Sequence, residues 1–99
     1  MLERFGPNGL YVLDEPEAAL SVHGQLALMR RMHELVEFES QFVIATHSPI
    51  LLGYPHAAIF EFGDSGLTKV AYEDTEPYRL TKGFLDDPKV FLRHLLDGE

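Results

Sequence analysis

Residues 10–16 read LYVLDEP, and this stretch decides how the chain folds. Four apolar residues lead directly into Asp14 and Glu15, and Pro16 ends the run. A continuous apolar run is typical of a strand covered on both faces, as in a parallel sheet. The two carboxylates would then stand at the carboxyl end of the strand, where open α/β sheets bind their ligands.

A second apolar run ends in a similar way. Residues 42–48 read FVIATHS, which predicts a strand over Phe42–Thr46 that leads into His47. The apolar spacing between the two runs predicts a helix over Val22–Phe38, with Ser21 as its N-cap. Strand, helix and strand form a right-handed crossover unit with parallel strands. Parallel strands end at the same edge of a sheet, so we expect the carboxylates to lie near Thr46 and His47.

The other elements follow from turn and cap signals. Residues 6–9 read GPNG, which predicts a turn, and GDSG at 63–66 predicts a hairpin. The expected elements, in chain order, are a loop at Pro16–Ser21, a short helical turn at Pro49–Gly53, strands at Ala57–Phe62 and Leu67–Tyr72, a helix from near Thr75 to Gly83–Leu85, and a helix at Pro88–Leu96 capped by Asp87.

Composition limits the class of protein. The chain has 99 residues, of which 45% are hydrophobic and 24% charged, so we expect one globular domain over residues 1–99. The net charge of −8 argues against direct binding of nucleic acid by this chain, since such binding needs clustered Lys and Arg. There is no cysteine and no apolar run long enough to span a membrane, and we expect a cytoplasmic protein.

The residue types at the two strand ends suit phosphoryl transfer. Asp14 could hold Mg²⁺ through a water molecule, because Mg²⁺ keeps much of its hydration shell. Glu15 could act as general base toward the attacking water, and His47 could hydrogen-bond the terminal phosphate. Taken singly, an Asp-Glu pair commonly caps a helix or faces solvent, and a lone histidine is commonly structural. Their occurrence at matching strand ends favours a functional site.

These residues resemble the C-terminal half of an ABC-type ATPase. The closest likeness is to small bacterial AAA-family predicted ATPases, similar to the heads of the SMC and RecF group. Residues 10–16 resemble a Walker B motif, residues 17–21 a D-loop and residues 41–49 a switch-histidine segment. The tail, with EDTE at 73–76, YRLT at 78–81 and FLDDP at 84–88, also resembles the end of that family.

The resemblance implies a fold, ligands and partners. The expected fold is α/β: part of a P-loop NTPase three-layer sandwich with a mainly parallel sheet, followed by a C-terminal hairpin and helices. The implied activity is binding and hydrolysis of ATP with Mg²⁺. Asp14 would bind the metal, Glu15 would be the catalytic base and His47 the switch, all three at the nucleotide. Ser21 and its neighbours would face a partner subunit in a head-to-tail pair that sandwiches ATP.

The sequence departs from the family at one essential point. No Gly-x-x-x-x-Gly-Lys-Ser/Thr occurs in it, so the chain lacks a phosphate-binding loop and is expected to be inactive alone. It could be part of a longer or split ATPase, as a homodimer or with a complete subunit. It could instead be a non-enzymatic module that pairs with a complete ATPase. A third alternative, a nuclease-linked relative, would use Asp86 and Asp87, although helix capping explains those residues better.

If the chain is only part of a domain, its sheet should be incompletely covered. One edge and one apolar face would remain uncovered, so the chain alone would dimerise or aggregate.

Overall fold

The computed structural model describes residues 2–4 and 9–97, with only the backbone of residues 2–4. The chain divides into two compact units, Met1–Pro55 and His56–Glu99, and is mixed α/β as expected. The prediction of one ATPase domain over residues 1–99 stays a prediction. The turn predicted at residues 6–9 lies outside the described residues, except for Gly9.

The first unit contains a three-stranded sheet. Its strands are β1 (Leu2–Arg4), β2 (Leu10–Asp14) and β3 (Gln41–Ala45), in that order across the sheet. The predicted parallel pairing of β2 with β3 is confirmed. Strand β1 was not predicted, and it pairs antiparallel with β2. The three-layer arrangement of a P-loop NTPase stays a prediction.

Helix α1 (Val22–Glu37) connects β2 to β3, and both of its ends follow from local chemistry. The Ser21 hydroxyl accepts a hydrogen bond from the Gly24 amide at 3.0 Å, which confirms the predicted N-cap. At the other end Glu39 takes a left-handed conformation with φ of 66°, and the Ser40 amide donates to the Leu35 carbonyl at 3.0 Å. This pattern is a Schellman motif, here without the usual glycine.

Two short 3₁₀ turns complete the first unit. The first, Pro16–Ala19, replaces the loop that was expected directly after β2. The second, Leu51–Gly53, lies within the helical turn predicted at Pro49–Gly53.

Among the described residues, the sheet is covered on one face only. Tyr11 and Leu13 on β2 are buried, as is Met32 on α1, and the Tyr11 ring stacks on Phe42 with centroids 4.8 Å apart. The alternate residues Leu10, Val12 and Val43 are 37%, 36% and 53% exposed. The expectation that β2 is covered on both faces is therefore wrong. The run is apolar throughout because the exposed face of β2 also carries apolar residues, Leu10 and Val12, which the described residues do not cover.

The second unit begins with a hairpin. Strands β4 (Ile59–Gly63) and β5 (Gly66–Val70) pair antiparallel around a two-residue turn, which confirms the hairpin predicted at residues 63–66. Gly66 has φ of 105°, a conformation that L side chains rarely adopt. The glycine therefore has a specific conformational role in this turn.

Two capped helices follow the hairpin. Helix α2 (Glu76–Asp86) begins after Thr75, whose hydroxyl accepts from the Tyr78 amide at 3.3 Å. Helix α3 (Pro88–Leu96) begins after Asp87, whose carboxylate accepts from the Val90 amide at 3.3 Å, as the sequence predicts. Among the described residues, no helix has both the length and the apolar character needed to cross a membrane.

Candidate functional site

The register of the parallel strands brings the predicted site segments to one edge of the sheet. Asp14 lies opposite Ala45, and the Glu15 amide donates to the Ala45 carbonyl at 2.7 Å. Thr46 and His47 are the next two residues in the chain after Ala45. Asp14, Glu15 and His47 are all exposed at this edge, where a ligand could reach them.

Glu15 has an unusual backbone. Its φ and ψ are 47° and 55°, in the left-handed region, which for a non-glycine residue costs of order 1–3 kcal/mol. A following proline favours an extended conformation, so Pro16 does not explain the left-handed backbone of Glu15. The Glu15 carbonyl accepts from the Ala18 amide at 3.1 Å, which closes the 3₁₀ turn. The strained residue is the one predicted to act as base, and strain of this kind clusters at functional sites.

The carboxylate of Glu17 joins the two segments. One oxygen accepts from the Thr46 hydroxyl at 2.7 Å, and the other accepts from the His47 amide at 3.0 Å. Sequence reasoning placed Glu17 in the D-loop segment and gave it no role in the site. Its position directly after Pro16, two residues beyond Glu15, was the only available signal.

A second set of hydrogen bonds holds the segment after β3. The Thr46 hydroxyl accepts from the Ser48 amide at 2.9 Å. The buried Ser48 hydroxyl donates to the side-chain carbonyl of Gln25 on α1 and accepts from the amides of Ile50 and Leu51, each at 3.1 Å. One donated and two accepted bonds satisfy the hydroxyl completely. The backbone on either side of His47 is therefore anchored to α1 and to the turn after β2.

The surroundings of Glu17 change its pKa. Partial burial raises the pKa, but the hydrogen bonds from Thr46 and His47 stabilise the charged form and outweigh it, so the pKa lies below its ordinary value of 4.5. The carboxylate is therefore ionised at neutral pH and accepts both hydrogen bonds.

This shift predicts a pH dependence of stability. A lowered pKa in the folded state means that the Glu17 contribution is complete above 4.5 and is lost as the pH falls through the folded-state pKa. We expect the difference in free energy of unfolding between the wild type and Glu17→Gln, measured by urea denaturation, to shrink over that acidic window. Glu34→Gln, on the exposed surface of α1, is the matched substitution. A difference independent of pH would contradict the assigned hydrogen bonds.

Among residues 9–97, whose side chains the structure describes, no group of three or more His, Asp or Glu residues could hold a metal ion. Asp86 accepts from the Lys82 ammonium at 2.6 Å, and Asp87 caps α3. Both residues of the nuclease alternative thus have structural roles. The assignment of Asp14 to Mg²⁺ through water needs only one carboxylate and stays a prediction.

The chain was compared with protein-family models, with curated proteins and with solved structures, and no match was found. The likeness to ABC-type ATPases therefore rests on the residues quoted above.

Proposed function

We propose that this chain supplies the hydrolytic side of an ABC-type ATP site. The observation that supports this most is the shared edge of β2 and β3, where Asp14 lies opposite Ala45 and His47 follows two residues later. An acidic pair and a histidine at adjacent parallel strand ends form the group that phosphoryl transfer needs opposite a phosphate-binding loop.

Each residue has a separate role in this proposal. Asp14 would hold Mg²⁺ through a water molecule, since its carboxylate can accept hydrogen bonds from the hydration shell of the ion, and the ion would offset phosphate charge. Glu15 takes a proton from the attacking water, and its exposed position allows that water to reach it. His47 donates a hydrogen bond to the terminal phosphate, from a segment whose backbone is anchored on both sides.

The nucleotide itself would be held by another polypeptide segment. The chain contains no Gly-x-x-x-x-Gly-Lys-Ser/Thr, so the loop that cradles the phosphates has to come from elsewhere. A second copy joined to such a loop, or a complete ATPase subunit, would provide it. The segment at residues 17–21 would face that partner.

The experiment combines this chain with a phosphate-binding loop. Translation of the DNA upstream of Met1 identifies the candidate polypeptide, and the two are produced together. We expect phosphate release from ATP with Mg²⁺ by the pair, none by either part alone, and none in excess EDTA. A stable pair that binds ATP but releases no phosphate would contradict the proposed activity.

The absent phosphate-binding loop also supports a second candidate, an interaction module that regulates a complete ATPase without hydrolysis of its own. This candidate predicts that the chain forms a stable complex and that Glu15→Gln leaves the turnover of its partner unchanged. Calorimetry of the isolated chain with ATP and Mg²⁺ tests both candidates, since each places the nucleotide on another polypeptide and tight binding by this chain would contradict that placement.

The metal assignment gives a prediction of its own. In an active pair, we expect Asp14→Asn to raise the Mg²⁺ concentration for half-maximal hydrolysis by roughly 10- to 100-fold, because an oriented water ligand is lost. Asp64→Asn is the matched control, since Asp64 is an exposed aspartate in the β4–β5 turn. An equal Mg²⁺ requirement for Asp14→Asn and the wild type would remove Asp14 from the metal site.

A further inference from the structure

The hydrogen bonds of Glu17 point to a role in the site beyond the three residues assigned above. We propose that Glu17 is a positioning residue, whose carboxylate holds the Thr46–His47 main chain so that His47 meets the phosphate in one orientation. This inference rests on the proposed function and adds a fourth residue to the same site.

The geometry indicates that Glu17 fixes the orientation of the Thr46–His47 peptide and does not merely tether it. The two oxygens of Glu17 bind two different groups on successive residues, the Thr46 hydroxyl at 2.7 Å and the His47 amide at 3.0 Å. A single hydrogen bond would allow the peptide between these residues to rotate. Two bonds from one rigid carboxylate restrict that rotation, and a charged acceptor makes both bonds stronger than neutral ones.

Glu17 is itself held in place. It lies in the 3₁₀ turn Pro16–Ala19, where proline restricts the backbone and the Leu20 amide donates to the Glu17 carbonyl at 3.1 Å. On the other side, Ser48 anchors the chain just after His47 through Gln25. The His47 backbone is thus held on both sides. Glu17 holds it from the turn after β2, and Ser48 holds it from α1.

The position of the His47 backbone matters because the expected phosphate contact is a single hydrogen bond. Bonds of this kind depend strongly on distance and angle. The carboxylate of Glu17 is occupied by Thr46 and His47, so its effect on the reaction would pass through His47. It would not come from contact with the nucleotide.

The test uses the hydrolysing pair described above. We expect Glu17→Ala to lower kcat roughly 10- to 100-fold, since small misplacements of a catalytic group have effects of that size. The KM for ATP should change by less than about twofold, because the nucleotide is held elsewhere. Glu17→Gln should retain most of the activity, because its amide oxygen can accept from the His47 amide while its nitrogen donates to the Thr46 hydroxyl.

A second measurement needs no activity. In the isolated chain, hydrogen exchange of the His47 amide should be faster in Glu17→Ala than in the wild type, with Glu17→Gln between them. Glu34→Ala, on the exposed surface of α1, should leave both turnover and this exchange rate unchanged. If Glu17→Ala does not fold, Thr46→Val removes the Thr46 bond to Glu17, together with the bond from the Ser48 amide to the Thr46 hydroxyl, and is expected to act in the same direction.

The outcomes separate this inference from the proposed function. A wild-type pair without ATP hydrolysis would overturn the function, while the exchange rates would still decide whether Glu17 orders His47. Unchanged turnover or unchanged exchange in Glu17→Ala would overturn the positioning role. An equal loss of turnover in Glu17→Gln and Glu17→Ala would also overturn it, since charge and not hydrogen bonding would then matter.

Discussion

Replacement of Glu15 by glutamine is expected to reduce ATP turnover by the active pair about 10²- to 10⁴-fold, the contribution typical of a general base. ATP binding should be retained, because the amide has the same shape and the nucleotide is held by another segment. The left-handed backbone of Glu15 does not depend on its charge, so the local fold should persist. Single-turnover phosphate release and equilibrium ATP binding measure the two quantities separately.

Two comparisons make this prediction specific. Glu34→Gln alters an exposed carboxylate on α1 and should leave turnover unchanged. His47→Ala should slow hydrolysis, because a phosphate contact is lost while the base remains. Loss of ATP binding together with turnover in Glu15→Gln would contradict the assignment of Glu15 as base, and unchanged turnover in His47→Ala would remove its switch role.

The second large effect concerns stability. Leu13→Ala is expected to lower the free energy of unfolding by about 2–5 kcal/mol, the range for a buried leucine replaced by alanine. Leu13 is 3% exposed, and it lies on the covered face of β2 with Tyr11. Small domains are stable by only about 5–15 kcal/mol, so a loss of this size would approach complete unfolding of a marginal chain. Urea denaturation followed by circular dichroism gives the value.

The neighbouring residue provides the matched control. Val12 lies on the same strand but on the open face of the sheet, and it is 36% exposed. Val12→Ala should cost clearly less than Leu13→Ala, because less apolar surface returns to water. Equal losses for the two substitutions would mean that both faces of β2 are covered in solution, as the apolar run first suggested.

Much of the secondary structure could be predicted from the sequence because its signals are local. The apolar run before Asp14 predicted β2, and Ser21 and Asp87 marked where α1 and α3 begin. The hairpin followed from the two glycines around Asp64 and Ser65. In each case the deciding interaction lies within a few residues, as in a cap or a turn.

The rest could not be predicted, since it depends on residues that are distant in the chain. Strand β1 is only three residues long and exists through its pairing with β2. The bonds of Glu17 join residues about 30 positions apart, and nothing in the local pattern specifies them. Which face of β2 is covered likewise depends on where α1 packs, which the continuous apolar run cannot indicate.

The sequence by itself therefore determined the strand–helix–strand unit and the residue types at its ends, because hydrophobic runs, caps and prolines act locally. The tertiary structure decided the register that sets Asp14 opposite Ala45, the strained backbone of Glu15 and the link from Glu17 to His47. These features arise only when two strand ends meet, since hydrogen bonds across a sheet edge depend on spatial position and not on distance along the chain.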